Sequence, residues 1–128
     1  MAGFSNYYEN EILDQALRNE AAPAVVVPYV SLHSSDPGET GVNEITGGSY
    51  IRASGHFITA AAGATNNDFT LTFTNMPAVN LLSGVGIWDA SGAGAGNFIG
   101  GGLLSPAKVI NSGDTFQITS GNLDVTLD

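Results

Sequence analysis

The chain has 128 residues, which suits one domain able to bury roughly two thirds of the surface its unfolded form exposes. Twelve acidic residues stand against three basic ones, Arg18, Arg52 and Lys108, for a formal charge of −9. That balance argues against nucleic acid, which demands clustered Lys and Arg, and against an anionic membrane surface. Cysteine is absent, so neither disulfides nor thiolate metal sites contribute and stability rests on packing and backbone pairing.

The opening "MAGFSNYYENE" has no basic region ahead of an apolar run, and no segment approaches the ~18 apolar residues of a membrane span. A soluble protein made in the cytoplasm of whatever cell produces it is expected. One helix is predicted, over about Asn6 to Asn19, with Asn6 as cap and Glu9 returning the bond as in a capping box. Tyr8, Ile12, Leu13, Ala16 and Leu17 recur at helical spacing, and Pro23 stops the helix. Glu9 and Glu11 near its start and Arg18 near its end suit the macrodipole. Phe4, Tyr7 and Tyr8 lie close to the chain start, where they either seal the β domain or dock on a neighbouring subunit. With Ile12 they are candidate partner contacts.

From Ala24 the period changes to two, and Gly, Pro, Asn and Asp supply the punctuation. Strands are predicted at "AVVVPYVSLH", "SYIRASGHFI", "FTLTFT", "LLSGVGIWD", "NFIGGGLL", "AKVI", "DTFQIT" and "LDVTL". About eight short strands behind one N-terminal helix predict a mainly β fold, an antiparallel β sandwich or barrel. The whole of 1–128 is read as a single domain, with 1–22 helical and 23–128 forming the β part. Pro28, inside the first strand, predicts an edge or a bulge there.

Reactive groups gather in "YVSLHSSDPGETG", Tyr29 to Gly41. His33, Asp36 and Glu39 raise the question of a catalytic or metal site, but Asp-Pro-Gly is turn chemistry: Asp bonds its own backbone, Pro sets φ and Gly takes positive φ. A calcium loop from Asp36, Glu39, Asn43 and Glu44 is the rival reading, although the spacing departs from the calcium-loop pattern. No G-x-S-x-G elbow occurs, and no pair among the twelve acids stands out for glycoside hydrolysis. "ASGAGAGNFIGGG", Ala90 to Gly102, is followed by a strand rather than a phosphate-binding helix. It reads as a flexible hairpin loop leading into a Gly-rich strand approached closely by another backbone. Trp88, Phe57, Phe69, Phe73, Phe98 and Phe116 are expected in core or interface.

Taken together, "SNYYENEILDQALR", "YVSLHSSDPGETG", "NEITGGSYIR", "VGIWDASGAG.GNFI" and "VINSGDTFQITSGNLDVTLD" resemble small bacteriophage structural proteins. These are generally labelled phage tail fibre proteins, and some virion-surface proteins of this size serve as head decoration. The likeness runs nearly the whole chain in the same order. Pro28 and the lengthened "GAGAG" depart from the pattern. The resemblance implies a non-enzymatic virion protein and brings no catalytic residues with it; no cofactor and no metal ligands are expected, with an ion in the loop from Ser34 to Glu44 left open. Compactness, lack of repeats and acidity make a capsid-decorating cement protein the first expectation. It would bind the major capsid protein or other virion proteins, and itself as a homotrimer, without nucleic acid or membrane. A tail fibre or fibre tip meeting the host receptor is the alternative, and a carbohydrate-degrading enzyme with paired acids the third. The expected contacts are Phe4, Tyr7, Tyr8, Ile12, His33, Asp36 and Glu39.

Overall fold

In the computed structural model, residues 3–21, 25 and 27–127 are described. The elements in chain order are β1 (Gly3–Phe4), α1 (Asn6–Arg18), β2 (Tyr29–His33), β3 (Ala53–Ser54), β4 (Ala64–Asn66), β5 (Leu71–Phe73), β6 (Val79–Trp88), β7 (Phe98–Ile110), β8 (Phe116–Ile118) and β9 (Asp124–Thr126). Among the described residues the fold is mainly β and antiparallel with one N-terminal helix, as expected, and the nine strands close no barrel. They form a five-stranded sheet, β1-β7-β6-β2-β3, and two two-stranded sheets, β4-β9 and β5-β8.

Alternation along β2 and β6 assigns the two faces of the large sheet. Val30 pairs with Ile87 and Leu32 with Val85, which puts all four on one face. That face meets Leu71 and Phe73 of β5 and Ile118 of β8 in the main core, and Ile87 and Ile99 extend the packing to Val125 of β9. Burying a side chain such as Leu32, which is wholly inside, stabilises by about 1.5–3 kcal/mol. The opposite face carries Tyr29, Ser31 and His33, opposite Trp88, Gly86 and Gly84.

Several boundaries differ from those predicted, each for a local reason. Pro28 precedes β2, its carbonyl accepting the amide of Gly55 at 2.7 Å, and β2 lies inside the sheet between β6 and β3. "NFIGGGLL" and "AKVI" are one strand of 13 residues that passes through Pro106. Its pairing with β6 has register shifts near Leu82 and Trp88, which absorb the irregularity. "SYIRASGHFI" contributes only the two residues of β3. β1 and β4 arise outside the predicted strands. β1 pairs against β7 through Gly3 with Gly101 and Phe4 with Gly100, and it is Gly100 that leaves room for it, since a Cβ there would meet Gly3 and Phe4. The close approach expected along that glycine run is thus a real strand contact.

The helix starts as predicted, but its cap is Ser5 rather than Asn6. Ser5 is extended (φ −70°, ψ 154°), its Oγ accepts from the Tyr8 amide at 3.3 Å, and its hydroxyl donates to the carbonyl of Phe98. Asn19, left-handed at φ 57°, ends the helix. No residue of α1 is buried: Leu13 and Leu17 stay 54% and 78% exposed, so the predicted apolar stripe is largely left open. No helix among the described residues is long and apolar enough to cross a membrane.

Candidate functional site

The polar face of the large sheet holds a connected set of buried groups. Arg52, whose side chain is fully buried, makes a bidentate pair with Glu44, Nε to Oε1 and Nη2 to Oε2, both at 2.8 Å. Its Nη1 donates to the carbonyls of Ala90 and Ala95, and its guanidinium lies 4.0 Å from the centre of the Trp88 ring. The Tyr50 hydroxyl donates to Glu44 Oε1 at 3.0 Å and accepts from the Leu32 amide at 2.9 Å. The low-dielectric surroundings push the Tyr50 hydroxyl well above the usual phenol range, so it stays a donor.

The chain of bonds continues through Trp88, whose Nε1 donates to Ser31 Oγ at 2.9 Å. Ser31 Oγ lies 2.7 Å from His33 Nε2, and His33 Nδ1 lies 2.7 Å from the Val42 carbonyl. A carbonyl only accepts, so Nδ1 carries the proton and Nε2 accepts the Ser31 hydroxyl. Both imidazole nitrogens are used, and burial lowers the His33 pKa below its usual 6.5. No buried side-chain nitrogen or oxygen among the described residues lacks a partner. The network is complete within the chain and offers no free base or nucleophile.

The stretch after β2 folds back over this face. Ser34 donates its amide to Asn43, Ile45 to Leu32, and Gly41 and Val42 to Pro37, which closes the loop. Glycines in the sheet make room for it: a Cβ on Gly84 would collide with the Ser35 carbonyl, and one on Gly101 would lie 2.7 Å from Pro37. Gly41 sits above Trp88 and Phe98 at φ +73°, a place that excludes any side chain. The Gly-rich turn after β6 is also held. Arg52 takes two of its carbonyls, and Asp89 accepts the Asn97 amide at 2.6 Å, so the expected flexible loop is pinned at its base.

The three reactive residues of this stretch go to three separate places. His33 is fully buried and belongs to no surface of the monomer. Asp36 accepts the Gly38 amide at 2.9 Å, the Asx turn that its sequence context predicts. Glu39 reaches the start of α1, where Oε2 accepts the Asn6 amide at 2.8 Å and meets the positive end of the helix dipole. Glu44 is committed to Arg52, so the four oxygen donors of the calcium reading do not converge. No group of three His, Asp or Glu among the described residues is placed to hold a metal ion.

Phe4 and Tyr8, half-buried with ring centres 5.6 Å apart, pack beside Ile87, Ile99 and Val125. Ile12 is half-buried and Tyr7 is 39% exposed. Sequence reasoning did not find Arg52, Glu44, Tyr50 and Ser31 as a unit. The signal was present in "GGSYIR", where an arginine in a chain of three basic residues sits inside an apolar run. A second feature also went unseen, a cleft of about 580 Å³ beside β3 and β5.

The reactive groups of this face are thus spent on one another and on backbone, under a loop locked by glycine contacts. Residues 3–126 match the family described as podophage GP4 fiber I protein gp80, and the chain belongs to that family. It is thereby a phage fibre-type virion structural protein. No curated protein matches it.

Proposed function

We propose that the protein is a fibre subunit of a podophage virion that works by contact rather than catalysis, and that it assembles with copies of itself as a homotrimer. The fibre family carries this reading. Supporting it are large apolar side chains left in solvent: Leu13 and Leu17 on α1, and Leu81, Leu103 and Val109 on β6 and β7. The acidity that suits the outside of a DNA-filled head suits an external fibre equally, so the family tips the choice away from a cement protein bound to the major capsid protein. Copies per virion separate the two. Quantitative gel densitometry is expected to give a number set by the tail; hundreds of copies would assign the protein to the head.

A further inference from the structure

The cleft beside β3 and β5 is lined by six Ser and Thr hydroxyls, from Ser49, Ser54, Thr70, Thr72, Thr74 and Ser91. The three threonines alternate with buried Leu71 and Phe73 and are all exposed, so their side chains stand in a row on one face. Phe69, 46% exposed, is an apolar plate in the same wall, and the His56 ring stacks on it at 6.2 Å with an interplanar angle of 18°. His56 is itself fixed by Asp68 at 2.6 Å. Ile51, 77% exposed, and Tyr29 add apolar surface. No carboxylate lines the cleft, and its one charged residue, Arg52, is neutralised by Glu44.

We propose that this cleft binds a neutral oligosaccharide. A pyranose presents a patch of C–H groups on its face and hydroxyls round its rim. The Phe69 plate accepts the first by apolar contact, and Ser and Thr hydroxyls, each donor and acceptor, match the second in either direction. Other ligand classes fit worse. Ser49, Thr70 and Thr72 each already accept one hydrogen bond within the chain, from Asn75, the Ser120 amide and Gln117. An apolar molecule would offer nothing to the remaining capacity of the six Ser and Thr hydroxyls, while an anion would meet a chain of charge −9 whose nearest guanidinium is already paired. Hydrolysis needs two carboxyl groups flanking the bond, so the cleft holds a sugar without cleaving it. That the sugar is a glycan of the host surface rests on the fibre reading; the chemistry of the cleft does not.

The purified full-length protein, labelled and applied to an array of neutral, sialylated and uronate-containing glycans, tests the site. Retention of neutral glycans is expected, with Phe69→Ala and Thr74→Val each weakening it by about tenfold. Both positions are exposed, and Thr74→Val keeps the probe usable should Phe69→Ala misfold. Retention of no neutral glycan, retention of acidic glycans alone, or unchanged binding by folded variants overturns the proposal. The virion count tests the fibre reading separately: neutral-glycan binding by a protein found in hundreds of copies supports the cleft and removes only its assignment to a host receptor.

Discussion

At the scale of single residues, the electrostatic stakes are concentrated in Arg52 and His33. Arg52 is tolerated without solvent because Glu44, two carbonyls and the Trp88 face surround it. Glu44→Ala leaves that charge buried and unpaired, and is expected to cost about 3–5 kcal/mol in urea denaturation. Glu44→Gln keeps one acceptor and should cost less. His33 works through pH. Its folded pKa lies below the unfolded value of 6.5, so the unfolded chain takes up the proton first as pH falls. The stabilisation is therefore fully present above about 6.5 and is lost as pH drops through the lower folded value. The geometry agrees, since a proton on Nε2 would take from the Ser31 hydroxyl the acceptor to which it now donates. Urea midpoints measured from neutral to mildly acid pH should fall in the native protein, and His33→Asn should flatten that part of the slope.

At the scale of elements, the two ends of β7 behave differently. Its first half is buried between β6 and the short strand β1, whereas residues 105–109 are exposed. Gly100 is what admits β1, because a Cβ there would lie 2.5 Å from the Gly3 carbonyl. Gly100→Ala is expected to push β1 from the sheet and loosen the start of α1, where the Ser5 amide now donates to Ile99 at 2.7 Å. Hydrogen exchange should show Ser5 losing protection while Leu71 and Ile118, in the distant β5-β8 pair, keep theirs. Equal loss at both places would mean that β1 is integral to the core.

At the scale of the whole molecule, the open helix stripe is the feature that points outward. Leu13→Gln with Leu17→Gln replaces two exposed side chains by a good helix former, so monomer stability should change by less than about 0.5 kcal/mol per site. If the proposed trimer is joined through α1, analytical ultracentrifugation should show a trimer for the native chain and a monomer for this double variant. A trimer that survives it places the contact elsewhere, with Leu81, Leu103 and Val109 the next surface to change.

Much of this architecture is written locally. Helical spacing from Tyr8 to Leu17, period-two runs such as "FTLTFT" and the Asp-Pro-Gly turn are contests among neighbouring residues, and each resolved as neighbours dictate. The helix cap moved from Asn6 to Ser5 because Ser5 also meets Phe98, 93 residues away, a bond that no local window contains. Long-range pairing decided the rest. "SYIRASGHFI" pairs with β2 for only two residues because Arg52 turns inward to Glu44 and the loop after β6. His33, Asp36 and Glu39, adjacent in sequence, diverge into the sheet interior, a turn and a helix terminus. The hydroxyl row and Phe69 of the cleft come from "FTLTFT" and its flank, but Ser54 and Ser91 join them only through the fold. Composition, periodicity and turn chemistry were sufficient for a mainly β domain with one helix, because those forces act within a few residues. Which polar groups are buried together, and which are left to face a ligand, depends on contacts between distant segments that only the tertiary structure brings about.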